Sequence, residues 1–246
     1  MRIVIVGATS AIAEHCVRLW AQASPAIITL VGRSPERMQR IAADLRVRAP
    51  QSDVRALVSG FVLVGDIASI VDNIVSEGDP DIVLIAHGLL PDQERCQNNL
   101  QSCSEALEVN GLSPVLFAEA FVRHMAGVNR GTLALVGSVA GDRGRKSNYV
   151  YGAAKGLVAR YVQGLQHRFA GTGVKIVLIK PGPTDTPMTA HLKVRGAKLA
   201  SVEEVAAQIV KAIERAVPVA YVPGKWRFIM WVIRHLPAAV FNRLNI

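Results

Sequence analysis

The sequence predicts one α/β domain in which a doubly wound parallel β-sheet is covered by helices on both faces. Its apolar runs lack the polar alternation of half-exposed strands, which is typical of strands buried on both sides. Segments with helical periodicity separate these runs, as the crossover connections between parallel strands require. The length of 246 residues suits a single domain with a full core, and the hydrophobic content of 50% argues against disorder.

Strands and helices alternate along the chain. The expected strands are the apolar runs 2–6, 26–31, 81–86, 131–137 and 175–179. The expected helices are residues 11–20, 35–47, 107–124 and 151–169. Ser34 suits the N-cap of the second helix, since its hydroxyl can accept a hydrogen bond from a free amide. The third strand could be either residues 54–58 or residues 61–64, two segments that Gly60 separates.

Cysteine usage and hydropathy restrict the class of protein. Cys16, Cys96 and Cys103 show neither a metal-ligand spacing nor an even disulfide set, so a reducing, cytoplasmic environment without a metal site is expected. The first ten residues lack a signal-peptide pattern, because their apolar run breaks at a glycine turn. The absence of an 18-residue apolar stretch predicts that the chain has no transmembrane helix.

Four polar residues form the candidate catalytic set. Tyr151 and Lys155 stand four residues apart in YGAAK, so they would share one face of a helix. A nearby ammonium favours the phenolate and lowers the tyrosine pKa, which would make the pair an acid/base unit near neutral pH. Ser138, at the end of a strand, could hydrogen-bond a substrate oxygen as charge develops there. Asn110 completes the set. Taken alone, a Tyr and a Lys four residues apart could also lie on an ordinary solvated helix face without a catalytic role.

The turn after the first strand is a candidate phosphate-binding turn. In a doubly wound sheet this turn meets a pyrophosphate at a helix N-terminus. Gly7 opens it, and Thr9 and Ser10 add hydroxyls and amides. Ala11 and Ala13 occupy positions where further glycines would be expected, so the turn alone is a weak signal.

Arg33 decides the expected cofactor. An acidic residue at the end of the second strand normally binds the ribose diol of NAD, but the sequence there reads LVGRS. A guanidinium can bind a 2′-phosphate bidentately, so NADP(H) is favoured and NAD(H) stays the alternative. Arg33 could instead only cover the adenine.

Positive charge is concentrated at the C-terminal end. The net charge is +9, and residues 193–246 carry nine Lys/Arg against three Asp/Glu. We expect a domain over residues 1–224 followed by a hydrophobic-basic extension, 225–246, that begins KWRFIMWVIRH. Aromatic and basic side chains at this density suit peripheral membrane or lipid-substrate contact. They suit packing against the domain or another subunit equally. Nucleic-acid binding is not expected, because no recognition motif accompanies the charge.

Taken together, the motifs resemble the short-chain dehydrogenase/reductase family. The resemblance covers roughly residues 1–190, and the order and spacing of its segments make it specific. These segments are GATSAIA, AHG (86–88), EVNGLSP, VGSVAG, YGAAK and KPGPTDTPM (180–188). The stretch SVAGDRGRKSNYVYGAAK and the basic tail are also similar to the bacterial branch that contains the decaprenylphosphoryl-keto-pentose reductase, which hints at a lipid-linked or sugar-derived substrate.

The resemblance implies a Rossmann fold, a nicotinamide cofactor, a small carbonyl or alcohol substrate and a homo-oligomer. Tyr151 would be the general acid in reduction, Lys155 would lower its pKa and hold the nicotinamide ribose, and Ser138 would position the carbonyl. Asn110 would anchor a proton-relay water. Besides Tyr151 and Lys155, the implied cofactor-binding residues are Gly7, Thr9, Ser10, Ala11, Ile12, Arg33, Asp66, Ala86, His87, Gly88, Pro181, Gly182, Thr184 and Thr186.

Two departures from the family pattern concern cofactor placement. The usual Asn-Asn-Ala-Gly stretch is replaced by Ile85-Ala86-His87-Gly88, and the phosphate turn lacks two glycines.

The leading hypothesis is an oxidoreductase that interconverts a ketone and a secondary alcohol. The alternative is a nucleotide-binding regulatory or scaffold protein on the same fold with a vestigial site, against which the complete Asn-Ser-Tyr-Lys set argues.

Overall fold

The computed structural model describes residues 1–194 and 196–244, and its centre is one parallel sheet of seven strands. The strands lie in the order β3-β2-β1-β4-β5-β6-β7, and every neighbouring pair is parallel. Their bounds are β1 Arg2–Val6, β2 Ile27–Gly32, β3 Asp53–Val58, β4 Ile82–Ile85, β5 Gly131–Val136, β6 Val174–Pro181 and β7 Val219–Val222. The predicted doubly wound Rossmann-type fold is confirmed.

Helices cover both faces of this sheet. Their bounds are α1 Ala11–Ala23, α2 Pro35–Arg48, α3 Val64–Ser76, α4 Gln93–Asn98, α5 Leu100–Leu107, α6 Ser113–Val128, α7 Tyr149–Arg168, α8 Ala190–Val194, α9 Val202–Glu214, α10 Lys225–His235 and α11 Ala238–Phe241. A π-helical segment, Glu108–Leu112, joins α5 to α6, and 3-10 turns cover Val139–Asp142 and Pro187–Thr189.

The strand period of two divides the core into two layers. Ile3 and Ile5 of β1 pack with α1, α2 and α9, whereas Val4 and Val6 pack with α3, α6 and α7. Apolar side chains predominate in both layers, which explains why the strands read as continuous hydrophobic runs. The described part of the chain contains no helix long and apolar enough to span a membrane.

One open choice is decided, and several elements differ from the sequence-based expectation. The third strand is residues 53–58, and Val64, offered as the end of an alternative strand, begins α3. The helix expected over 107–124 starts at Leu100 and passes through the π-helical segment. The α9–β7 unit adds a further strand beyond β6, for which no element had been predicted.

The strand order reverses between β1 and β4, which places a crevice at their carboxyl ends. From β1 the chain winds outwards to β2 and β3, and from β4 it winds the other way. Ligands of doubly wound sheets bind at such a switch point. The turns after β1, β4, β5 and β6 meet at this edge, and they carry the residues singled out from the sequence.

Candidate active site

A cavity of about 650 Å³ opens at the carboxyl edge of the sheet, and all four predicted catalytic residues line it. Asn110 comes from the π-helical segment, Ser138 from the turn after β5, and Tyr151 and Lys155 from α7. The structure thus brings together residues spread over 46 positions of the chain, from 110 to 155.

Ser138 lies where β5 gives way to a 3-10 turn. Its Oγ accepts a hydrogen bond from the Ala140 amide at 3.1 Å, so the hydroxyl caps the turn while it lines the cavity. A Cβ on Gly141 would come 2.7 Å from the carbonyl carbon of Lys155, and one on Gly152 would come 2.9 Å from Ala140 O. The glycines therefore let α7 press directly on this turn.

Lys155 is buried, with 3% of its surface exposed. Its Nζ donates a hydrogen bond to Val136 O at 3.0 Å and lies 5.9 Å from the centroid of the Tyr151 ring. Burial lowers the pKa of Lys155 to about 8, because a charged ammonium loses its hydration there.

The environment of Tyr151 differs from the sequence-based expectation. Burial raises the pKa of its phenol above the ordinary value, and hydrogen bonding from the Ser138 hydroxyl acts in the opposite direction. Burial, and not the effect expected from the Lys155 ammonium, dominates the pKa of the phenol, and the ammonium is bonded to Val136 O. At neutral pH the phenol is therefore protonated, which is the form a general acid needs.

Asn110 is fully buried, and its amide is held at both ends. Its Oδ1 accepts from the Leu89 amide at 2.9 Å, and its Nδ2 donates to Ala106 O at 2.9 Å. A Cβ on Gly88 would come 2.8 Å from Asn110 Oδ1. The turn after β4 therefore lies directly against Asn110. Single-turn π segments of this kind occur frequently at functional sites.

The phosphate turn has the backbone geometry that the sequence suggested. Gly7 has φ +84°, and a Cβ there would come 2.5 Å from the His87 amide nitrogen, so both conformation and space require glycine. Ser10 is the N-cap of α1 but makes no side-chain cap bond, and Ser10 and Ile12 line the cavity. Ala13 is buried in the core beneath the turn.

The residues after β4 explain one departure from the family pattern. Ala86, His87 and Gly88 line the cavity. The His87 imidazole packs between Phe61 and Phe117, and its Nε2 lies 2.8 Å from Ser113 Oγ. Burial, with smaller contributions from Lys155 and Arg33, lowers its pKa to about 3. The histidine is thus a neutral core side chain.

Predicted cofactor residues beyond the cavity lie further along the same edge. Gly7, Thr9, Ala11, Arg33 and Asp66 are not among the lining residues. Arg33 is exposed, with its guanidinium 5.9 Å from the Phe61 ring, and exposed Arg37 donates to Thr9 O at 3.1 Å. Asp66 is exposed in the first turn of α3, where a Cβ on Gly60 would come 2.4 Å from its carboxylate.

The turn after β6 forms the opposite wall. Pro181, Gly182, Thr184 and Thr186 all line the cavity. Thr184 is buried and donates to Gly182 O at 3.0 Å, while the Thr186 hydroxyl lies 3.1 Å from that of Thr189. These bonds close the turn upon itself.

Residues of the C-terminal segment also support this wall, in line with the alternative that this segment packs against the domain, although the sequence did not indicate the contact with Gly182. A Cβ on Gly182 would come 2.0 Å from Trp226 Nε1, so the indole packs on the glycine. Met230 is fully buried, and Arg143 donates to Ile233 O at 2.5 Å and Leu236 O at 2.7 Å. These contacts join residues about 90 positions apart, so no local pattern could have predicted them. The one available signal was that Arg143 lies in the SVAGDRGR motif beside Ser138.

A buried ion pair lies beneath the serine turn. Lys180 pairs with Asp142, and the second carboxylate oxygen of Asp142 accepts from the Tyr221 hydroxyl at 2.7 Å. Burial and the Asp142 hydrogen bond raise the pKa of Tyr221 to about 12. This network links the turn after β5 to strands β6 and β7.

The cavity and its margin fit a nicotinamide dinucleotide. Close backbone approach at Gly7 and Gly88, the free Ser10 hydroxyl at the start of α1, and the cations Arg33 and Arg37 suit a phosphorylated ligand with a pyrophosphate. The β2 end carries no carboxylate to repel a 2′-phosphate, since Gly32-Arg33-Ser34 follow one another there.

Comparison with known proteins gives consistent matches. A family model described as short chain dehydrogenase matches residues 1–195. An uncharacterized oxidoreductase encoded in the mprA 5′ region of Streptomyces coelicolor is 28% identical over 98% of this chain and 95% of its own length.

Two solved structures share the fold. A short chain dehydrogenase from Burkholderia cenocepacia in complex with NADP has a TM-score of 0.83 at 17% identity, covering 100% of this chain and 97% of its own. A single-residue variant of actinorhodin polyketide ketoreductase with NADPH has a TM-score of 0.81 at 19% identity, covering 92% and 97%.

Proposed function

Because the chain belongs to the short chain dehydrogenase family and is an oxidoreductase of that family, we propose that it reversibly reduces a ketone to a secondary alcohol. The observation that carries the proposal is the convergence of Asn110, Ser138, Tyr151 and Lys155 on one cavity. A vestigial site would not need Lys155 to be kept buried at the cost of its hydration.

The chemistry divides between the cofactor and the chain. A bound nicotinamide cofactor supplies or accepts the hydride. The Ser138 hydroxyl hydrogen-bonds the carbonyl oxygen, and Tyr151 donates its phenolic proton to that oxygen as negative charge develops there. Lys155 stabilises the phenolate that remains, and Asn110 holds the turn at Gly88 against the reacting centre. Residues Gly7, Ser10 and Ile12 would hold the pyrophosphate.

We propose NADP(H) as the preferred cofactor. Arg33 and Arg37 both lie exposed at the end of β2 and the start of α2, where a 2′-phosphate would be bound. The two structural relatives described above contain NADP or NADPH, which is consistent with this preference.

The test of the reaction is Tyr151→Phe, which keeps the ring and removes the proton. A panel of ketones is screened for NADPH oxidation, and NADPH binding is measured in parallel by fluorescence. We expect kcat to fall by at least ~10²-fold with cofactor affinity nearly unchanged. Undiminished turnover in the variant would show that Tyr151 is not the acid. Binding without turnover of any ketone by the wild type would favour the regulatory alternative.

We further propose that the C-terminal segment, residues 225–244, contacts an anionic lipid surface. The α10 helix exposes Phe228 (69%) and Trp231 (59%), which stack at 6.1 Å, beside the exposed cations Lys225, Arg227 and Arg234. A homo-oligomer that uses the same surface is the competing arrangement, and sedimentation in the absence of lipid distinguishes the two.

A further inference from the structure

The cavity has one wall whose polar groups lack partners. Buried side-chain atoms without a hydrogen-bond partner include Gln93 Nε2, Arg145 Nε and Asn148 Oδ1, and all three residues line the cavity. They come from α4 and from the segment between Ser138 and Tyr151. Unpaired polar groups are costly inside a protein, so their concentration at one cavity indicates a polar ligand.

Asn148 shows that this wall is not a simple capping arrangement. Asn148 is the N-cap of α7, a position at which asparagine normally accepts a backbone hydrogen bond. Here it makes no side-chain cap bond, and Gln93 Oε1 accepts from the Val150 amide at 3.1 Å instead. The cap is therefore supplied by α4, which leaves Asn148 Oδ1 buried and without a hydrogen-bond partner in a residue that lines the cavity.

Arg145 supplies the partly buried positive charge of this wall, whereas Lys146, which also lines the cavity, is exposed. Its Nη2 contacts Met230 Sδ at 3.9 Å, and within residues 1–194 and 196–244 no carboxylate forms an ion pair with it. Burial lowers the pKa of the guanidinium, with Asp142 acting in the opposite direction. The carboxylates that also line the cavity, Asp92 and Glu94, are both exposed. A half-buried guanidinium that forms no ion pair with any described carboxylate suits an anionic group on the ligand.

We propose that Arg145 binds an anionic group, a carboxylate or a phosphate, on the carbonyl substrate. Resting on the proposed function, this assigns the substrate class: a ketone whose reacting carbonyl lies at Ser138 and Tyr151 and whose negative charge lies toward α10. Arg145 is seven residues after Ser138 and six before Tyr151, on the segment that joins them, so one stretch of chain positions both groups of the substrate.

The kinetic test uses a matched pair of ketones. Levulinate and 2-pentanone share a methyl ketone and differ in the carboxylate; dihydroxyacetone phosphate and dihydroxyacetone provide the phosphate pair. We expect Arg145→Gln to lower kcat/KM for the anionic member by about 10-fold or more, and to leave the neutral member within about 2-fold. Arg145→Lys should recover part of the loss. Arg160→Gln makes the same change at an exposed position of α7 outside the cavity lining and should change neither.

A binding test separates this proposal from the reaction itself. The NADPH-loaded protein is titrated calorimetrically with phenyl phosphate, benzoate and benzyl alcohol. At least one anion should bind more tightly than benzyl alcohol, and Arg145→Gln should weaken that binding about 10-fold or more; which anion responds identifies the group. This result without ketone turnover would retain the subsite and reject the proposed reaction.

Three results would overturn the proposal. One is equal loss of kcat/KM for charged and neutral ketones, which would mean that Arg145 only supports α10. Another is loss of NADPH affinity in Arg145→Gln, which would assign the residue to the cofactor. The third is anion binding in the calorimeter that does not depend on Arg145.

Discussion

At the residue scale, burial sets the protonation state of the site. The same desolvation raises the pKa of the Tyr151 phenol and lowers that of the Lys155 ammonium to about 8. Near pH 7 the tyrosine is therefore protonated, and the lysine still carries its charge. This combination suits reduction, in which the phenol must give up a proton next to a cation that stabilises the remaining phenolate.

Lys155→Ala should impair both proton transfer and NADPH binding, whereas Tyr151→Phe should impair proton transfer alone. Loss of the ammonium removes the stabiliser of the phenolate and the expected contact to the nicotinamide ribose. We expect kcat to fall by ~10²-fold or more and NADPH affinity to fall about 10-fold, the effect of one charge-assisted hydrogen bond. Steady-state kinetics and NADPH titration measure both. An unchanged NADPH affinity would contradict the second role of Lys155.

Arg33→Asp should shift the cofactor preference toward NADH. The variant loses a bidentate phosphate contact and gains a repulsive carboxylate, so a shift of about 2 kcal/mol in relative affinity is expected. Titrations of both cofactors against wild type and variant measure it. Arg40→Asp, the same charge change at an exposed position of α2, is the control. A wild type that prefers NADH would disprove the argument.

At the element scale, the strands were predictable because burial on both faces makes each one a continuous apolar run. The meeting of Ser138, Tyr151 and Lys155 at one cavity was predictable as well, since one strand end and one helix carry all three. The π-helical segment at Asn110 was not, because a shift from α to π register leaves no change in apolar periodicity. The Trp226 contact with Gly182 joins positions 44 residues apart, which local patterns cannot reveal.

The docking of α10 depends on Arg143. Its guanidinium bonds the last carbonyls of that helix and lies 3.8 Å over the Phe241 ring. Arg143→Met keeps much of the volume and removes these bonds, so residues 225–241 should exchange their amide hydrogens faster while the sheet is unaffected. Hydrogen-exchange mass spectrometry measures this. Equal exchange in both proteins would show that Met230 and Trp226 hold α10 without it.

Lipid contact by α10 should depend on its exposed face. Wild-type protein should bind anionic vesicles less as salt rises, at ~1 kcal/mol per Lys/Arg near the surface at low ionic strength. Replacing Phe228 and Trp231 by serine should abolish binding without exposing the buried Met230. Replacing the exposed Val47 and Leu100 by serine is the control. If neither the wild type nor the Phe228/Trp231 variant bound vesicles, and the variant differed from the wild type in sedimentation mass, the result would favour a subunit interface.

At the scale of the whole molecule, the sheet edge concentrates titratable side chains that folding must bury. Lys155, His87 and the Asp142–Lys180 pair all lie within the turns after the central strands or in contact with them. Lys155 and His87 are bases whose pKa values are lower in the folded protein than in the unfolded chain. The candidate site therefore makes the stability of the molecule depend on pH.

His87 allows this dependence to be measured. Its pKa is about 3 in the folded protein against an ordinary 6.5, so between these values the unfolded chain binds a proton that the folded protein does not. Stability should consequently fall as pH falls below 6.5, at ~1.4 kcal/mol per pH unit, or about 2–3 kcal/mol between pH 7 and pH 4.5.

His87→Phe should remove this loss, because phenylalanine keeps an aromatic ring between Phe61 and Phe117 and does not titrate. Urea unfolding of both proteins across this pH range measures their free energies of unfolding. The slope of this free energy against pH is the quantity to compare, because losing the Ser113 contact lowers it by the same amount at every pH. His167→Phe, at an exposed position of α7, controls for losing a surface histidine. If the stabilities of wild type and His87→Phe fell in parallel, His87 would be protonated inside the fold, and the neutral ring between the aromatic side chains would be the wrong description of this turn.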